Sequence, residues 1–180
     1  MALVIAETLS DSPLTPEQPN DTSLRVLNCI AERNGSWKYS LLSRDRRHIF
    51  CIYDAPDAES VRVSYRQGGA AFKRIWSTTV VTPEGKLIER NEKILQVLEG
   101  TYPEGFTWEE WEEANSYLLP YYAEEGVEWV RSYVTVDRTR VVCEINALDG
   151  EVIRDAHRRF NIPFDRVWSA MVIKPHTSKL

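Results

Sequence analysis

The chain repeats itself. Sliding it by 92 residues aligns 1–83 with 93–175 without a gap, and about 22 of the 83 positions are identical, roughly four times what chance supplies. The shared positions include Glu7/Glu99, Thr15/Thr107, Trp37/Trp129, Ser40/Ser132, Cys51/Cys143, Asp57/Asp149, Phe72/Phe164, Arg74/Arg166 and Trp76/Trp168. Two copies are too few for a solenoid, whose repeats need several neighbours to close a core. The expected organisation is therefore two homologous lobes, 1–83 and 93–175, joined by a linker at 84–92 (EGKLIERNE) and followed by a tail at 176–180.

Each copy reads as β-α-β-β-α-β. The first strands are 2–9 and 94–101. Thr15 with Gln18, and Thr107 with Glu110, have the spacing of a capping box, and Pro16 suits a first helical turn, so a helix is expected from each Thr to Glu32 or Glu124. Asn34 and Gly126 supply the positive φ that ends such a helix, and Pro120 predicts a kink in the second copy. Strand pairs follow at 37–43/47–53 and 129–135/139–145. Asp54 and Asn146 are expected N-caps of the second helix, and final strands are placed at 72–82 and 164–174. This is the split β-α-β, or ferredoxin-like, plait: an antiparallel α+β sheet with both helices on one face. Its other face would be a bare apolar patch. Two fused copies packed sheet to sheet, as in a dimeric α/β barrel, would remove it. Trp76 and Trp168 are the expected seals of that intrachain pseudo-dimer, with a cavity between the sheets.

Composition bounds the function. A formal net charge of −5 argues against a broad nucleic-acid surface. No apolar run approaches the roughly 18 residues of a membrane span, and the N-terminus lacks the basic n-region of a signal peptide. Three widely spaced cysteines make no disulfide framework and suit a reducing cytoplasm. No phosphate loop, zinc-finger spacing or Ser-His-Asp set is present.

With the motifs placed, the stretch VEWVRSYVTVDRTRVVCEINALDGEVIRDAHRRFNIPFDRVW resembles a ferredoxin-like family through Ser-Tyr, a strand, Cys-x-x-(acid)-Ala and a helix. The first copy matches it through SRDRRHIFCIYDAPDAESVR. Single-domain members of this nickel-binding-protein-like family are described as nickel-binding homodimers. The resemblance implies a binding protein for a transition metal such as Ni²⁺, or for a small ligand. This chain departs from the family pattern at Asn146, where an acid is usual, and carries Tyr65 where the second copy has His157.

Three groups of residues are candidates for chemistry. Glu99, Cys143 and His157 are expected to converge beneath the helices of the second copy, a donor set suited to a borderline metal; the alternative is that Cys143 is simple packing, as free cysteines commonly are. Lys38, His48, Arg140 and Glu144 are expected on the opposite sheet face. There His48 and Glu144 could act as an acid–base pair for a small substrate, giving a cofactor-independent, monooxygenase-like enzyme as the alternative function; equally, these charges could line an interface. The helix expected at 107–125 mixes glutamates with Trp108, Trp111, Tyr117, Tyr121 and Tyr122, and residues 84–180 carry 18 acidic against 12 basic side chains. That face is either solvated or docks a basic protein partner. A regulatory adaptor without a ligand is the third functional expectation.

Overall fold

The computed structural model describes residues 1–176, so the tail expected at 176–180 lies mostly outside the described residues. The chain is α+β. The first repeat runs β1 (Ala2–Leu9), α1 (Asp21–Glu32), β2 (Ser36–Ser43), β3 (His48–Ala55), α2 (Ala58–Gly68) and β4 (Arg74–Val81). The second runs β5 (Leu95–Thr101), α3 (Trp108–Glu124), β6 (Glu128–Thr135), β7 (Arg140–Asn146), α4 (Gly150–Arg159) and β8 (Arg166–Ile173). Two compact units result, residues 1–78 with the chain from Met171 onward, and Thr79–Ala170. No described helix is long and apolar enough to cross a membrane.

Within the first repeat β1 pairs antiparallel with both β3 and β4, and β2 pairs with β3, giving the order β4-β1-β3-β2. The second repeat reproduces it as β8-β5-β7-β6. In each, two helices cover one sheet face. Val4, Ala6, Tyr53 and Ala55 of the first sheet pack with Val26 and Ile30 of α1 and Val61 and Tyr65 of α2. Leu98, Val141, Cys143 and Ile145 of the second pack with Leu118 and Tyr122 of α3 and Ile153 and Ala156 of α4. Asn34 and Gly126 adopt positive φ just after α1 and α3, as those helix exits require.

Three local expectations are corrected. The helix α1 does not start at Thr15; its N-cap is Asn20, whose side chain accepts from the Ser23 N–H at 2.9 Å. Pro19 is the physical reason. A helix capped at Thr15 would need the N–H of residue 19 for the Thr15 carbonyl, and proline has none. That carbonyl accepts from Gln18 at 2.9 Å in a turn instead. Where the second repeat has Trp111 at the same place, the helix does begin at the predicted capping box, with both Thr107–Glu110 bonds formed, and it runs on through Pro120. The N-caps of α2 and α4 are Asp57 and Asp149, not Asp54 and Asn146. Asn146 ends β7 and stitches the 84–92 segment to it: its amide donates to the Glu89 carbonyl at 2.8 Å, and its Oδ1 accepts from the Asn91 N–H at 2.8 Å. Glu99, expected on the helix side of its strand, lies on the other face.

Candidate functional site

Across the β5–β7 ladder Leu98 opposes Cys143 and Glu99 opposes Val142. Directly opposed residues share a face, and Leu98 and Cys143 belong to the helix-side core. Glu99 therefore points to the other face, and the expected set Glu99, Cys143 and His157 is split. Cys143 and His157 line one cavity beneath α3; Glu99 does not. Alternation misled here because β5 is buried on both faces, so its apolar residues fall in both parities.

The helix-side face of each repeat carries the same hydrogen-bonded chain. In the first, the Trp37 indole N–H donates to Ser40 Oγ at 2.9 Å and Ser40 donates to Cys51 Sγ at 3.1 Å. In the second, Trp129 donates to Ser132 at 2.9 Å and Ser132 to Cys143 Sγ at 2.8 Å. Residues three apart on a regular strand point to opposite faces. The register shifts between Trp37 and Tyr39, and again between Trp129 and Arg131, so one extra residue brings each Trp to the face of its Ser. The repeated Trp-x-x-Ser was visible in the sequence, but its spacing alone does not place the two side chains together.

Beneath α3 the cavity measures about 60 Å³ and is walled by Trp111, Leu118, Trp129 and Ile162 with Cys143 and His157. Two buried polar atoms there have no hydrogen-bond partner, His157 Nδ1 and the Tyr122 hydroxyl. Burial pushes the His157 pKa down to about 4, against a smaller opposing pull from a backbone bond at Ile162, so the ring is neutral at physiological pH. Burial likewise lifts the Cys143 thiol to about 12, outweighing the Ser132 hydrogen bond.

The corresponding space in the first repeat is far larger, about 410 Å³, between α1, the segment before it, α2 and the sheet. Cys51 and Ser40 lie in its floor, with Tyr53 and Tyr65, whose hydroxyls are 2.9 Å apart. The offset of 92 explains the difference in size. Ser10, Pro19, Val26 and Ala70 line the large cavity; Tyr102, Trp111, Leu118 and Ile162 fill the equivalent places in the second repeat.

On the opposite face of each sheet sit the buried carboxylates Glu7, Glu99 and Glu144. Glu7 meets His48 Nε2 at 3.1 Å and Arg74 at 3.1 Å. Burial would raise its carboxyl; the His48 bond and the Arg74 charge outweigh that and hold it below the ordinary value. Glu99 binds Arg166, accepts from the Trp168 indole at 2.8 Å, and lies 3.6 Å from Arg140. Trp168, expected as an interface seal, is thus a hydrogen-bond donor to Glu99. Glu144 binds Arg90 and accepts from the Tyr133 hydroxyl at 3.0 Å. The expected catalytic candidates are thus engaged: His48 hydrogen-bonds Glu7, Arg140 lies beside Glu99, and Glu144, half of the expected acid–base pair with His48, pairs with Arg90.

A family model described as nickel responsive protein SCO4226-like matches residues 4–77 and again 97–169. The chain belongs to that family, with two copies of its domain. SCO4226 from Streptomyces coelicolor A3(2) is 18% identical over 41% of this chain and 91% of its own, with a TM-score of 0.36. A proposed monooxygenase from Lactobacillus acidophilus NCFM is 11% identical over 96% of this chain and 92% of its own, TM-score 0.43. Another from Fusobacterium nucleatum is 12% identical over 96% and 92%, TM-score 0.46. No curated protein matches the chain.

Proposed function

We propose that the chain is a binding protein for a transition metal ion, nickel being the ion that its family's description names, and that the second repeat holds the ion through His157 and Cys143. The carrying observation is that His157, whose buried Nδ1 has no partner, lines the same cavity as Cys143. A ring with a pKa of about 4 is neutral, the form in which imidazole binds metals. Tyr122, which lines the same cavity, adds a second unpartnered polar atom, its hydroxyl oxygen. The residues present therefore fit a small ion with few protein donors. A bound ion would act as a Lewis acid toward the lone pairs of these groups. The first repeat lacks the imidazole, since Tyr65 stands there, so one site per chain follows.

The strand order of each repeat supports reading both as ferredoxin-like plaits.

The test is titration of metal-free protein, purified without a histidine tag, with Ni²⁺ by calorimetry. One site is expected, abolished by His157→Ala. If Cys143 ligates as thiolate, each ion releases a proton, and affinity rises about tenfold per pH unit well below pH 12. Two equal sites, or binding indifferent to His157→Ala, would overturn the assignment.

A further inference from the structure

We propose that the cavity of the first repeat is a second, independent binding site, for a neutral ring-bearing small molecule with one acceptor oxygen. At about 410 Å³ it lies within the usual size of small-molecule pockets, about 300–1,000 Å³. No Asp, Glu, Lys, Arg or His lines it, so a charged ligand would lose its hydration with nothing to replace it. The titratable groups in its floor, Cys51, Tyr53 and Tyr65, are all pushed up by burial and stay uncharged. Leu14, Val26, Leu27 and Trp37 give apolar walls for a ring.

The polar end is specific. One hydroxyl of the Tyr53–Tyr65 pair donates to the other, so one hydroxyl hydrogen is not used by that bond. Both hydroxyls are within hydrogen-bonding reach of the Cys51 sulfur, which takes that hydrogen but is a weak acceptor. A carbonyl oxygen entering the cavity is a better one. The sister repeat supplies the contrast: it keeps the Trp-Ser-Cys chain but loses both tyrosines, to Ile145 and His157, and fills the space with bulk. An empty volume of this size in one copy, closed by ordinary packing in the other, is not forced by the fold.

Calorimetry and ligand-detected NMR with three matched probes test this: 1-indanone, indane and indane-1-carboxylate. Indanone should bind, indane at least fivefold more weakly, and the carboxylate not measurably. Ala70→Ile, which installs the residue of the second repeat, should weaken indanone binding at least tenfold with unchanged circular dichroism and unchanged Ni²⁺ titration. Ser10→Tyr is the second filling variant should the first not fold. Failure of indanone to bind, equal binding of the carboxylate, or indanone binding untouched by a folded filling variant would overturn the proposal. None of these outcomes bears on the metal site.

Discussion

Acid should unfold this chain partly through one imidazole. The unfolded state binds a proton on His157 with an ordinary pKa of 6.5, whereas the folded state resists it until about pH 4. Above pH 6.5 the ring is neutral in both states and contributes no pH dependence. Between 6.5 and 4 the unfolded chain binds more protons, so stability falls as pH falls, and below 4 the loss levels off. A gap of about 2.5 pKa units corresponds to about 3 kcal/mol at most, of which about 2.5 kcal/mol is lost by pH 4.5. The ring is 5% exposed and its Nδ1 has no partner, so solvent screening does little to reduce this. The assay is urea denaturation of wild type and His157→Gln between pH 4.5 and 7.5, without metal. Other titrating groups, Glu7 among them, act in both proteins and cancel in the difference. The wild type should lose about 2–3 kcal/mol more than the variant over that range. Parallel pH profiles would refute the buried neutral imidazole, and with it the ligand state on which the nickel proposal depends.

Cys143 should label slowly with a thiol reagent in the native protein and rapidly after denaturation, given its burial and raised pKa; rapid native labelling refutes it. Cys143→Ser should cost about 1–3 kcal/mol and Cys143→Ala less, both read by denaturation. Gly68→Ala should destabilise by about 1–3 kcal/mol, because a Cβ there would meet Val26 Cγ2 at 2.5 Å and the Val26 backbone nitrogen at 3.0 Å; a neutral result would mean that α1 can shift freely. Asn20→Ala should cost about 1 kcal/mol and Thr15→Ala much less, and the reverse order in thermal melts would restore the capping box at Thr15.

The duplication made the element order legible, because each copy checks the other. The helix ends at Asn34 and Gly126 and the capping box at Thr107 were legible because they are local chemistry. Two expectations failed, for different reasons. Face assignment failed at Glu99, where a strand buried on both sides gives no alternation to read. Helix starts failed at Thr15 because a proline four residues on removes the required donor, although that signal was present in the sequence. The cavities were also latent in the text: lining up Ser10 with Tyr102, Pro19 with Trp111 and Ala70 with Ile162 shows bulk missing from one copy.

The extra residue in β2 and β6 works as a phase shifter. Lys38 and Val130 occupy the unmatched place in their ladders. Every side chain before that residue is out of step with every side chain after it, yet both sets must serve the same layer. Removing Lys38 alone would restore strict alternation and turn Trp37 to the other side of the sheet, leaving Ser40 and Cys51 where they are. The Trp-x-x-Ser spacing is thus a punctuation mark that can be read without coordinates. In any chain where the two side chains must meet on a strand, three residues of separation demand an inserted residue between them, and a one-residue deletion there would cost more than its size suggests.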